Sequence, residues 1–200
     1  MGFNADYSDA SIYNHIFTPA NNPSVVGGDL SVSGNSYLYM PDNAALELGS
    51  MDFTIEARVR LSGVATQNRN VLVKQTSSAG IPLLFNVSNS TQRLSFTMIN
   101  QSEAVIALSG LAGSFTDTVN YHHVAAVRSG DTFYLWQDGV LLTTNTIVGY
   151  GSMKNTISNW FIGAANNTGA GNFNGLIDWL KVSKTALYTA PFTPPTTLTV

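Results

Sequence analysis

Residues 53–61, FTIEARVRL, set Phe53, Ile55, Ala57, Val59 and Leu61 on one alternation and Thr54, Glu56, Arg58 and Arg60 on the other. A period of two places successive side chains on opposite faces of an extended strand, so one face is apolar and the other polar. Short stretches of the same kind follow one another: 30–40 (broken at Gly34-Asn35), 71–75, 82–88, 93–100, 105–109, 121–129, 132–137, 140–147, 159–165 and 176–184. Turn formers such as Asn89-Ser90-Thr91 lie between them. No window sustains a helical period with caps; the best helical candidate is a single turn around Asp42 to Leu48. Short strands at roughly ten-residue spacing predict an all-β fold, a two-sheet antiparallel jelly-roll sandwich. No linker or repeat interrupts the pattern. Residues 1–200 therefore read as one domain, with 1–8 a short N-terminal arm and 190–200 an extended Pro/Thr-rich tail.

Composition narrows the chemistry. Charged residues make up only 10% of the chain, against about 25% in an average globular protein. Ser, Thr, Asn and Gly supply the polarity instead. A net charge of −3 with no Lys/Arg cluster argues against nucleic acid, whose phosphates need a concentrated basic face. The chain has no cysteine, which removes disulfides and thiolate metal sites. No apolar run approaches the roughly 18 residues of a membrane span, so no membrane insertion is expected. The first residues show no basic segment leading into an apolar run, and synthesis in the cytosol without a secretory signal is expected.

The stretch YHHVAAVRSGDTFYLWQDG, residues 121–139, carries the densest set of reactive side chains. On a strand, His122 and His123 point to opposite faces and cannot chelate one ion. Ser129-Gly130-Asp131 and Asp138-Gly139 are hairpin turns. The stretch reads as a hairpin and its return, and nothing in it marks a positioned nucleophile.

This hairpin resembles the W-x-H-V-A-x-x-R-x-G … L-Y-x-D-G element of the laminin-G-like, concanavalin A-like jelly rolls. Two further stretches resemble the same family in order and spacing. They are YLYMPDNAALELGSMDFTIEARVRL, ahead of the hairpin, and FIGAANNTGAGNFNGLIDWLKVSKTALYTAPFTPP, which closes the chain. The similarity runs over about residues 9–195. Tyr121 and Arg58 stand where the family usually carries Trp, and the family's first strand is nearly missing before the DASIYNH turn. A sheet edge completed by a neighbouring chain would be one consequence.

The resemblance implies further expectations. Jelly rolls of this type often carry a structural calcium ion, and it would fall on Asp9 in the N-terminal turn and Asp178 in the closing G-x-I-D strand. The glucanases of the superfamily use carboxylates spaced E-x-D-x-E on one strand. The only glutamates here are Glu47, Glu56 and Glu103, none in that spacing, so no catalytic residue is assigned and Glu56 is expected on the surface. For ligand or partner contact the candidates are Trp179, expected exposed, with Asn166 and Asn167. Trp136 and Trp160 fit core positions better.

Two functions are compatible with this reading. The first is a non-enzymatic structural or adhesion protein on the virion surface of a tailed bacteriophage (capsid decoration, head fibre or tail accessory). It would contact capsid or tail proteins, self-associate as a homo-oligomer such as a trimer, and meet host glycans. The alternative is a carbohydrate-binding or adhesion module of a secreted bacterial protein, acting extracellularly.

Overall fold

The computed structural model describes Tyr7, residues 9–75 and residues 80–199. The proposed arm, and strand addition at residues 2–8, lie outside the described residues apart from Tyr7, whose hydroxyl donates to the Pro23 carbonyl at 2.6 Å. Fourteen strands form two antiparallel sheets of seven.

In chain order the first strands are β1 (Thr18–Ala20), β2 (Ser24–Val26), β3 (Asp29–Val32), β4 (Tyr37–Met40) and β5 (Phe53–Leu61). Then come β6 (Arg69–Lys74), β7 (Leu83–Ser88), β8 (Arg93–Ile99), β9 (Val105–Ser109) and β10 (His122–Ser129). The last four are β11 (Thr132–Gln137), β12 (Val140–Thr146), β13 (Trp160–Ile162) and β14 (Gly175–Ser183). One sheet runs β1-β4-β13-β6-β7-β8-β9 and will be called the front sheet. The other, the back sheet, runs β12-β11-β10-β5-β14-β3-β2.

This is the expected all-β jelly roll. The predicted single turn is a 3-10 helix at Ala44–Leu46, whose N-cap Asn43 side chain accepts from the Ala45 amide. The alternation of β5 resolves as read: Phe53, Ile55, Ala57, Val59 and Leu61 are all in the shared core. Facing them from the front sheet are Leu38, Met40, Leu72, Phe85, Phe96, Met98, Trp160 and Ile162. Burial of this apolar area, at about 25 cal/mol per Å², is what holds the sheets together.

Two features were not legible in the pattern. β1 and β2 are three-residue strands with no clear alternation. The 30–40 stretch does not remain in one sheet: β3 pairs with β14 and β2 in the back sheet, while β4 pairs with β1 and β13 in the front. The turn at Ser33–Ser36 carries the chain across the sandwich. It is closed by the Ser36 amide on the Ser33 carbonyl at 3.0 Å, with Gly34 at φ +59°.

Candidate functional site

The outer face of the back sheet is covered by the chain's own C-terminal segment. Ala125 and Val127 of β10 and Trp136 of β11 form a second apolar cluster, packed by Tyr134, Ala186, Tyr188 and Phe192. Thr54, fully buried, latches the segment: its hydroxyl donates to the Thr185 carbonyl at 2.9 Å and accepts from the Leu187 amide at 2.9 Å. Tyr188 and Phe192 stack with ring centroids 3.7 Å apart, and Phe192 meets Trp136 edge-on at 5.5 Å. The segment lies so close at Gly139 that a Cβ there would stand 1.9 Å from the Phe192 carbonyl oxygen.

Two expectations are corrected here. Trp179, expected exposed, is only 2% exposed. A β-bulge between Ile177 and Trp179 turns its ring onto the outer face, 5.6 Å from the His123 ring. Glu56, expected on the surface, is equally buried. One of its carboxylate oxygens, Oε2, lies 2.9 Å from His123 Nε2 and accepts from the Tyr188 hydroxyl at 2.8 Å. A buried carboxylate needs such partners. Burial, followed by the contact with Glu56, pushes the Tyr188 hydroxyl well above its ordinary pKa. The period of two placed Glu56 on the outer face correctly, whereas Trp179 reaches that face only through the bulge; what covers the face was invisible to the pattern.

The two histidines of the 121–139 hairpin do face opposite ways. His123 joins Glu56, whereas His122 Nδ1 lies 2.6 Å from Asp138 and its Nε2 lies 3.6 Å from Asp117. The hydrogen bond to Asp138 is the largest influence on His122 and raises its pKa. Asp117, held by Asn120 and by the Val119 and Asn120 amides, is lowered to about 2.

Asp9 and Asp178 enter separate networks. The Asp9 carboxylate accepts from the Ser11 amide at 3.0 Å, the Ser11 hydroxyl at 2.6 Å and the His15 amide at 3.1 Å. Burial pushes Asp9 up, but these bonds outweigh it and hold it below the ordinary carboxylate value. Asp178 is ion-paired with Arg58 Nη1 at 2.5 Å, and Arg58 in turn stacks over Tyr121 at 4.3 Å. Among the described residues no group of three or more His, Cys, Asp or Glu is placed to hold a metal.

The front sheet presents a different outer face. The pairing registers align Thr18, Tyr39, Phe161, Val73, Leu84, Thr97 and Ala107 in one row across seven strands. Tyr39 and Leu84 are half-buried members of an apolar cluster with Tyr37, Val73, Phe161, Ala164, Ala20 and Ile81. Tyr37 links this face to the predicted amide loop, because its hydroxyl donates to the Asn167 carbonyl at 2.8 Å. Within the loop, Asn166 Oδ1 accepts from the Thr168 amide at 3.0 Å and its hydroxyl at 2.7 Å. Asn167 and Thr168 are exposed. Gly169 packs against the β3–β4 turn, where a Cβ would stand 2.3 Å from the Asn35 carbonyl oxygen. The amides Asn166 and Asn167 thus sit beside Tyr37 and Tyr39, not beside Trp179.

A cavity of about 270 Å³ opens between the sheets. Leu72 and Trp160 of the front sheet and Leu180 and Val182 of the back sheet line it, with the N-terminal turn, Ala45 and Leu198 around them. A second cavity of about 190 Å³ borders Glu47, Gly49 and Met153.

A family model of the concanavalin A-like lectin/glucanases superfamily matches residues 32–190. The chain belongs to that superfamily. No curated protein matches it. Among solved structures it is similar to the binding domain of Paraclostridial Mosquitocidal Protein 1, with 13% identity, a TM-score of 0.72, and coverage of 94% of this chain and 49% of that one. It is also similar to the receptor binding domain of botulinum neurotoxin D, with 12% identity, a TM-score of 0.69, and coverage of 90% and 47%. The botulinum neurotoxin serotype G binding domain gives 12%, 0.67, 94% and 47%. The chain spans about half the length of these structures, and at such identity the similarity concerns the fold. For a member of a lectin/glucanase superfamily, the carboxylates decide which chemistry is served. Each of the two cavities is lined by one carboxylate, Asp9 in the first and Glu47 in the second. Glycoside hydrolysis uses a facing pair, about 5–9.5 Å apart.

Proposed function

We propose that the chain is a non-catalytic, lectin-like adhesion module whose ligand face is the outer surface of the front sheet, and that its ligand is a glycan. The observation that carries this reading is half-exposed Tyr39, whose neighbour Tyr37 bonds the exposed Asn167–Thr168 loop. An aromatic ring offers a stacking surface for the apolar face of a sugar, and neighbouring amides and hydroxyls satisfy its hydroxyl groups. The back sheet offers no equivalent, since its aromatic residues are already packed by Tyr188 and Phe192. The single carboxylate in each cavity supports a binding role over a hydrolytic one. A glycan array followed by calorimetric titration tests the reading. Tyr39→Ala and Asn167→Ala should each weaken a selected glycan about tenfold, the loss of one stacking or polar contact. Silence across the array, or variants that bind as tightly as the parent, would overturn it.

A second reading places the same module on the surface of a tailed-phage virion, in contact with capsid or tail proteins and with copies of itself. It is favoured by Ile12, Tyr13 and Ile16 of the N-terminal segment, which are 87%, 60% and 81% exposed. Exposed apolar groups of this kind gain about 25 cal/mol per Å² when covered by a partner. Copy counting by mass spectrometry of purified particles, with the oligomeric state of the isolated chain, distinguishes the two settings. A chain absent from particles and monomeric in solution removes the second.

A further inference from the structure

The cavity between the sheets is separate from the glycan face and has a different chemistry. Its floor is apolar, built from Leu46, Leu72, Trp160, Leu180 and Val182. At about 270 Å³ it lies near the lower end of small-ligand sites, roughly 300–1,000 Å³. Its rim carries the charge: Lys181, Lys184, His15 and Asp9.

These four groups are not equivalent. Asp9 is consumed by Ser11 and the His15 amide. Lys181 Nζ donates to the Thr199 carbonyl at 2.7 Å. Lys184, exposed, has no hydrogen-bond or ion-pair partner among the described residues. Elsewhere Arg58, Lys74 and Lys154 are all paired with carboxylates. Among the described residues, an ammonium without a partner therefore lines an apolar cavity in a chain of net charge −3.

We propose that this cavity binds an amphipathic anion of the fatty-acid class, its alkyl chain inserted between the sheets and its carboxylate held at the mouth by Lys184. The apolar floor accounts for the chain and the free ammonium for the head group. A neutral sugar would leave the floor without hydrogen-bond partners for its hydroxyls. A cationic amphiphile would meet Lys184 with like charge.

Calorimetric titration with dodecanoate, kept monomeric, tests this on the full chain. Dodecanoate should bind, and dodecyltrimethylammonium should bind at least tenfold more weakly. Lys184→Glu, at an exposed position, should weaken dodecanoate at least tenfold while leaving the melting temperature unchanged. Ala45→Phe, which fills the cavity without touching a charge, should abolish the heat. The proposal fails if dodecanoate gives no heat, if the two amphiphiles bind equally, or if Lys184→Glu has no effect. It also fails if Ala45→Phe alters self-association and not dodecanoate binding, because the occupant would then be a second copy of the chain.

Discussion

The two outer faces of the sandwich are built from the same alternation yet end in opposite states. On the back sheet, Trp136 is packed by Tyr188 and Phe192, Trp179 is buried beside His123, and Glu56 is locked between His123 and Tyr188. On the front sheet, Tyr39 and Leu84 remain half open, with exposed Asn167 at their edge. One face is sealed, while the other, with Val73 and Phe161 buried, leaves Tyr39 and Leu84 open to contact something else. An outward-facing aromatic residue is thus no sign of a binding site until the rest of the chain is known to leave it uncovered.

This contrast can be broken most forcefully at the seal. Phe192→Ala removes a ring that touches Trp136, His123 and Tyr188. Because Phe192 is only partly buried, a loss of about 3 kcal/mol is expected, at the lower end for such truncations. For a chain of this size that is a fall of roughly 6–12 °C in melting temperature, readable by calorimetry. Glycan binding should be unaffected once the variant is folded.

A smaller effect is expected from the polar part of the seal. Tyr188→Phe removes one donor to the buried Glu56 carboxylate and should cost about 1–3 kcal/mol. Combined with Glu56→Gln in a double-mutant cycle, it should show coupling of about 0.5–3 kcal/mol by chemical denaturation. Additive losses would mean that the short contact does not operate in solution.

On the open face the expected order reverses. Tyr39→Ala should shift stability by about 1 kcal/mol or less, a partly exposed position, while weakening the selected glycan about tenfold. A large loss of stability with unchanged binding would move Tyr39 to the structural side of the comparison.

The smallest effect lies at the start of β10, in the His122 clamp. His122 is raised by Asp138, so its contribution is fully present below the ordinary histidine value, about 6.5, and fades as pH rises through the higher folded value. Asp138 and Asp117 are lowered, so theirs is present above about 3.9 and fades as pH falls. Their overlap is a window between roughly pH 4 and 6.5. Discounted for solvent screening, His122→Gln should remove about 0.5–1 kcal/mol there and less at pH 8, by denaturation at several pH values.

Much of this was legible in the chain. The alternation of Phe53 to Leu61 predicted an inward apolar face, and all five residues are in the core. The hairpin of residues 121–139 and the opposed directions of His122 and His123 followed from a period of two. So did the assignment of Trp160 to the core. Asn166 and Asn167 were singled out as amides, but their companion is the Tyr37–Tyr39 pair, 130 residues away along the chain in the Tyr37–Asn167 bond.

Local pattern thus determined which residues are extended and, where no bulge intervenes, which way each points, because a strand's side-chain direction depends only on its own backbone. It also determined the superfamily, through three ordered motifs. Only the tertiary structure decided that β3 and β4 part to different sheets, that Arg58 claims Asp178, and that the C-terminal segment covers Trp136 and Glu56. Those outcomes depend on contacts between residues far apart in the chain. A local period carries no information about which distant segment will compete for an exposed face.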